Sequence, residues 1–165
     1  RRVLHTTTVN TPVGDLYLVA KEDIVLAAGF KSIQSLIERM SPDDIEKDIK
    51  HVGKISVISD LVKDYFDGDL NALNAIKVRQ AGAKFSQDAW KAMRKIPAGK
   101  VLSYAQLAKR AGSADAIRAA GTACGNNLIA PIIPCHRVIK TSGAIGNYGY
   151  GVKIKQWLLS HEGAL

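Results

Sequence analysis

Over the first thirty residues the side chains follow a period of two. Val3, His5, Thr7 and Val9 interleave with Leu4, Thr6 and Thr8, and most of these residues are β-branched, which predicts a strand. Thr11-Pro12-Val13-Gly14-Asp15 is turn chemistry, since proline presets one turn dihedral and glycine permits the others. Residues 16–20 predict a second strand and, after Glu22-Asp23, residues 24–30 a third, giving an antiparallel meander.

The period then changes to that of a helix. Ile33, Leu36, Ile37 and Met40 recur at helical spacing, and Ser41-Pro42-Asp43-Asp44 reads as a loop or as a helix start with proline in its first turn. A stronger amphipathic stretch covers residues 55–66 and stops at Asp67-Gly68-Asp69, and residues 75–78 could form one more strand. Residues 80–84 are the best linker, dividing the chain into 1–80, a supporting α/β domain, and 81–165.

The second part is patterned mainly as helix. Phe85, Ala89, Trp90, Met93 and Ile96 mark one apolar face, closed by Pro97-Ala98-Gly99. Ser103 caps a short helix over residues 104–110, Gly112 ends it, and Ser113 caps another over 114–123. Two short helices about a glycine turn predict a helix-turn-helix, a pattern shared with ordinary helical hairpins. Residues 128–139 are apolar and hold Pro131 and Pro134, which predicts buried, extended chain. Residues 141–151 hold four glycines and two tyrosines and read as a mobile loop. A last helix covers 152–161, with Ile154, Trp157, Leu158 and His161 on one face.

Charge sharpens the division. The chain of 165 residues carries a net +8, yet residues 1–80 hold 11 Lys or Arg against 12 Asp or Glu, while residues 81–165 hold 12 against three. A half so poor in acids is suited to a polyanion, of which nucleic acid is the commonest, although a solvated basic face would have the same composition. No apolar run is long enough for a membrane span and no secretory signal is read, so a cytoplasmic location is expected, nucleoid-associated in a prokaryote or nuclear in a eukaryote. The only cysteines, Cys124 and Cys135, do not form a disulfide framework and are expected to be free thiols.

Cys135 carries the candidate chemistry. A buried cysteine is often only a small hydrophobe, but a nucleophilic thiol needs a base or positive charge nearby, and His136 and Arg137 follow it directly. In extended chain adjacent side chains point to opposite faces, so His136 would reach the thiol through a water or a local turn. His136 would in turn need an acid to orient it. The half offers Asp88, Asp115 and Glu162; Glu162 ends the last helix, where the dipole disfavours a carboxylate, so either His136 compensates it or it is an ordinary solvated glutamate, the reading that its position alone favours. Cys124, Cys135, His136 and His161 lack the short paired spacing of a structural zinc site, so no metal is expected.

Ile133-Pro134-Cys135-His136-Arg137-Val138 strongly resembles the acceptor motif of the O6-alkylguanine-DNA alkyltransferases. The resemblance extends through Arg118-Ala119-Ala120-Gly121, Asn126-Asn127, Gly146-Asn147-Tyr148 and Trp157–Gly163, and more loosely to the turn at residues 11–16. It implies an α+β fold, with a small antiparallel sheet and helices (ribonuclease H-like) before a mostly helical domain with a helix-turn-helix. It implies direct-reversal DNA repair: one irreversible alkyl transfer per chain from O6-alkylguanine, and O4-alkylthymine, in duplex DNA to Cys135.

By position, His136 would be the water-linked base, Glu162 its orienting acid, and Asn127 a brace for the active-site turn. Tyr104 would help rotate the nucleotide and protonate the departing guanine. Arg118 would take the flipped base's place. Ser103, Tyr104, Ala116, Ala119, Gly121 and Arg137 complete the DNA-facing set, and Pro134, Val138, Asn147, Tyr148 and Gly149 the guanine pocket. The alanine-rich second helix suits close approach to the minor groove, where readout is degenerate. A lesion inside the stack must be flipped out.

Two departures matter. Some members carry an N-terminal zinc site built with cysteines, and no cysteine precedes Cys124 here, so no such zinc and no cofactor is expected. Position 149 is often serine in relatives, and Gly149 removes that hydroxyl. A sequence-independent duplex binder is expected, monomeric in solution and able to cluster on DNA. Two alternatives stay open: a non-catalytic lesion-binding or helix-turn-helix regulatory protein, and a multiple-turnover thiol hydrolase using Cys135, His136 and Glu162.

Overall fold

The computed structural model describes residues 2–165. The chain divides into two compact units, one running to Ala81 and including Leu128–Ile132, the other formed by Gly82–Asn127 and Ile133–Leu165. The short Leu128–Ile132 segment, which was expected to lie within residues 81–165, therefore belongs to the first unit.

In the first unit, β1 (Val3–Thr11) and β2 (Gly14–Lys21) form the hairpin that the turn residues predict, closed by the pair Thr11↔Gly14. Gly14 sits at φ +111°, a conformation open to glycine and strained for other residues. β3 (Ile24–Gly29) pairs antiparallel with β2. After α1 (Ile33–Arg39) and a 3-10 turn at Pro42–Asp44, β4 (Asp48–His51) pairs parallel with β1. After α2 (Ile58–Phe66) and a 3-10 turn at Ala72–Ala75, β5 (Lys77–Val78) pairs parallel with β3.

The sheet order is thus β4-β1-β2-β3-β5. The sheet is mixed and not wholly antiparallel as expected, because each edge strand is reached through a helical connection, which permits a parallel return. β4 escapes sequence reading because all four of its residues are exposed, so no burial alternation marks it. One core cluster gathers Leu4, Val19, Leu26, Ala27, Leu36, Met40 and Leu128. Ala28 exchanges backbone hydrogen bonds with this last segment, donating to Leu128 and accepting from Ala130.

The second unit opens with α3 (Lys84–Arg94), which buries Ala89, Trp90, Ala92 and Met93. β6 (Leu102–Ser103) leads directly into α4 (Tyr104–Arg110). Ser103 caps α4 in a complete capping box with Gln106, an arrangement that contributes about 1 kcal/mol. α5 (Ile117–Gly125) follows the turn at Gly112, completing the two-helix unit. Its cap is Ala116, three residues later than the expected cap at Ser113, whose carbonyl instead accepts the Ala116 N–H in a separate turn. The Trp90 indole N–H donates to the Ala123 carbonyl at 2.9 Å and so fixes α5 against α3.

Cys135–Arg137 is a single 3-10 turn and not extended chain, followed by β7 (Val138–Ile139), which pairs parallel with β6. The segment is nevertheless buried as its composition predicts. α6 (Val152–His161) closes the unit. Its buried stripe is Lys155, Leu158, Leu159 and Glu162, one residue round from the predicted face, while Ile154, Trp157 and His161 are half-buried. Among the described residues, no helix is long and apolar enough to cross a membrane.

Candidate active site

The 3-10 turn decides how the acceptor motif is displayed. Pro134 stands at its N-cap, and the Pro134 carbonyl accepts the Arg137 N–H at 3.0 Å. The turn carries Cys135 to the wall of a cavity of about 320 Å³, whose other lining residues are Tyr104, Gly121, Cys124, Gly125, Asn147, Tyr148 and Gly149. A larger cleft, about 590 Å³, lies in the first unit between residues such as His5, Asp23, Ile58 and Lys77; it holds no cysteine and none of the predicted site residues.

Behind Cys135, His136 and Glu162 are buried together. His136 Nε2 lies 2.8 Å from Glu162 Oε2, and His136 Nδ1 has no hydrogen-bonding partner among the described residues. Arg137 donates from Nε to Glu162 Oε1 at 2.8 Å, from Nη2 to Oε2 at 2.9 Å and from Nη1 to the Ile96 carbonyl at 2.6 Å. Burial alone would push Glu162 up, but hydrogen bonds from His136 and Arg137 and the charge beside it hold the carboxyl well below the usual carboxylate range. Burial pushes His136 down, against the opposing pull of Glu162, so the imidazole is neutral near pH 7.

Arg137 is thus neither a DNA contact nor the cation beside the thiol. It is 4% exposed and its guanidinium is committed to Glu162 and Ile96. The cation that bears on the thiol is Lys155, which is 1% exposed and donates to the carbonyls of Val138 at 2.7 Å and Asn147 at 3.2 Å. Burial pushes the Cys135 thiol up; a hydrogen bond with the Asn127 side chain and the charge of Lys155 oppose the rise. Burial also lowers Lys155, while the nearby thiols raise it. On balance the site favours Cys135 as the protonated thiol.

Asn127 also donates to the Ile133 carbonyl at 2.8 Å, bracing the chain just before the turn. Tyr104, at the start of α4, is raised by burial and by the two thiols. Tyr104 Oη and Lys155 Nζ both approach Gly146: a Cβ there would lie 3.4 Å from the first and 3.5 Å from the second. Both are ordinary van der Waals distances; what favours glycine at position 146 is its backbone, at φ +80°.

The structure therefore brings Cys135, Tyr104, Asn147, Tyr148 and Gly149 together around the cavity, with Gly121 of α5. Pro134 and Val138 stand outside the lining, Val138 being fully buried in β7. Ala119 and Arg118 are exposed on the first turn of α5, with Ala116 half-buried at its cap, and Ser103 is half-buried at the α4 cap. Lys155 and Cys124 were missed as site residues. Lys155 had a signal, since Lys155, Leu158, Leu159 and Glu162 fall at i, i+3, i+4 and i+7 of one helix. Cys124, raised by burial, had none until α5 turned it towards Cys135.

The profile of the family described as "6-O-methylguanine DNA methyltransferase, DNA binding domain" matches residues 84–164. The methylated-DNA–protein-cysteine methyltransferase of Shigella flexneri is 37% identical over 163 residues, covering 95% of this chain and 94% of that protein. The crystal structure of Mycobacterium tuberculosis O6-methylguanine methyltransferase superposes with a TM-score of 0.79 at 30% identity, covering 98% of this chain and 93% of the other. The Mycobacterium tuberculosis OGT crystallised in complex with DNA gives the same TM-score at 31% identity, covering 97% and 93%.

Proposed function

This chain belongs to the methylated-DNA–protein-cysteine methyltransferase family, and we propose that Cys135 is its alkyl acceptor, used once. The activity of the family is direct-reversal repair, in which an alkyl group passes from DNA to a protein cysteine. The observation that carries the assignment is the placement of Cys135: it faces a cavity on one side and adjoins the buried His136–Glu162 pair on the other.

The target guanine is extruded from the duplex through the minor groove into the cavity beside Tyr104, Tyr148 and Gly149. His136 takes the thiol proton at Nδ1 through a bridging water, and Glu162 stabilises the imidazolium at Nε2. The sulfur attacks the alkyl carbon, forming the S–C bond as the C–O6 bond breaks, and the electron pair of that bond passes into the guanine. The Tyr104 phenol supplies a proton to the base, which leaves as neutral guanine. Lys155, close to both Tyr104 and the thiol, favours the anionic forms through which each passes. The thioether is stable and the site holds no group that would hydrolyse it, so each chain acts once.

Arg118 fills the gap left by the base, and the small side chains of α5 permit close approach to the groove. O4-alkylthymine is a second substrate of the same chemistry. The protein works as a DNA-associated monomer in the cytoplasm or nucleus.

Intact mass after mixing with a duplex holding one O6-methylguanine tests the assignment. One methylene of added mass on the peptide bearing Cys135, stopping at one per chain and absent from Cys135→Ser, is the expected result. An unchanged mass with the duplex still bound would instead identify a lesion-binding or regulatory protein, and continued turnover would identify a hydrolase.

A further inference from the structure

We propose that Ile117 is a second, apolar wedge which enters the duplex beside the extruded nucleotide and keeps the base step open; the inference rests on the flipping reading above. Ile117 opens α5 and is 44% exposed, in a helix whose other outward positions at that end are Ala119 and Gly121, with Arg118 alone long and charged. Single exposed apolar residues are common and need no explanation. What distinguishes Ile117 is its register.

Residues at i, i+4, i+7 and i+8 share one helix face, so Ile117, Gly121, Cys124 and Gly125 form a single stripe. The last three line the cavity of Cys135. The stripe therefore runs out of the acceptor cavity and ends in a branched apolar side chain about 6 Å further along the axis, given the rise of 1.5 Å per residue. That distance is within about two base steps of 3.4 Å. At the rim of the cavity nearest Ile117 stands Gly121, where a Cβ would meet nothing within 4 Å, so this stretch is open to an approaching backbone.

The inner face of α5 is filled by Ala120 and Ala123, both fully buried, so Ile117 is not needed for packing. A duplex bound over the cavity would cover it. Proteins that enter the minor groove insert side chains of this type between base steps and unstack them. Arg118, one residue on, points about 100° away around the helix, so the two side chains divide the work: the guanidinium replaces the lost base, and the isoleucine holds the neighbouring stack apart.

A single strand needs no such wedge, and this difference gives the test. Single-turnover methyl transfer is measured from O6-methylguanine in a duplex and in the same strand unpaired, for the native protein, Ile117→Ala and Ile117→Met. The ratio of duplex to single-strand rate should fall about tenfold in Ile117→Ala and return with Met, which again offers an apolar wedge. In a Cys135→Ser background, 2-aminopurine placed next to the lesion should brighten on binding, and the gain should be lost with Ile117→Ala. An unchanged ratio, or rates that fall equally on both substrates, overturns the wedge. Native protein that methylates itself from neither substrate overturns the alkyltransfer reading, and the wedge with it.

Discussion

Arg137 grips both carboxylate oxygens of Glu162, Nε at 2.8 Å from Oε1 and Nη2 at 2.9 Å from Oε2, inside a unit where both side chains are buried. This fork–fork geometry fixes the plane of the carboxylate, and one of its oxygens also meets His136. Arg137 is therefore a positioning residue: it acts through Glu162 on the imidazole.

Breaking this pair from either side leaves an uncompensated buried charge. Arg137→Met or Glu162→Gln should each cost about 3–5 kcal/mol, read as a lower urea midpoint with an unchanged slope. Arg137→Lys should recover little, because an ammonium cannot bridge both oxygens. A cost under 1 kcal/mol for both variants would mean that the pair is solvated in solution.

The same buried groups set the pH range of the fold. Glu162 is held ionised in the folded state, so its contribution is complete above the unfolded value near ~4.3 and is lost as pH falls towards the lower folded value. His136 is held neutral, so below ~6.5 the unfolded chain binds a proton that the folded chain refuses, and stability falls there too. Burial keeps the Cys135 and Cys124 thiols protonated, so above ~8.5 the unfolded chain loses protons that the folded chain keeps, and stability falls again. Denaturation across pH 3–10 should therefore show greatest stability between about 6.5 and 8.5. His136→Gln should remove the step that begins near ~6.5 and leave the lower one. A native profile that stays flat down to pH 4 would contradict the burial of His136.

Lys155 supplies a positive charge that bears on Cys135. Lys155→Met retains much of the side chain's volume and removes the charge, so methyl transfer should slow at least tenfold, the effect of about 1.4 kcal/mol on the barrier. The limb of the pH–rate profile that reports Cys135 should move to higher pH, because the opposing influence of Lys155 is gone. A slower rate with an unmoved limb would assign Lys155 to packing alone.

If the excess cations of residues 81–165 bind phosphate, affinity for undamaged duplex should fall linearly on a log–log scale with added salt. Lys109 and Arg110 end α4 on its exposed side. Replacing either by Gln should reduce the slope by about 0.9, if that residue releases one phosphate counterion, with little change across DNA sequences. An unchanged slope in both variants would place the phosphate track elsewhere on the unit.

Local chemistry was legible where it acts over a few residues. The β1–β2 hairpin, α1, α4 with its cap, and the bounds of α6 all follow from alternation, capping and turn residues. The motif about Cys135 named the nucleophile candidate, its base and the family; position alone favoured a solvated Glu162, only the family resemblance made it the acid beside His136, and the structure buries it against His136 and Arg137. The local features need only neighbours along the chain.

Tertiary structure decided the rest, because it depends on which face each element turns inward. β4 became a strand only by pairing with β1, since all four of its residues are exposed and no burial alternation marks it. A rotation of one residue in the buried face of α6 put Lys155, and not Ile154, against the acceptor turn. The 3-10 turn at Cys135–Arg137 drew Arg137 inward to Glu162 and away from DNA, a choice made by a carboxylate 25 residues further along the chain. Sequence spacing names the groups that can react, whereas the packing of distant segments determines which charge each group meets and whether water can reach it.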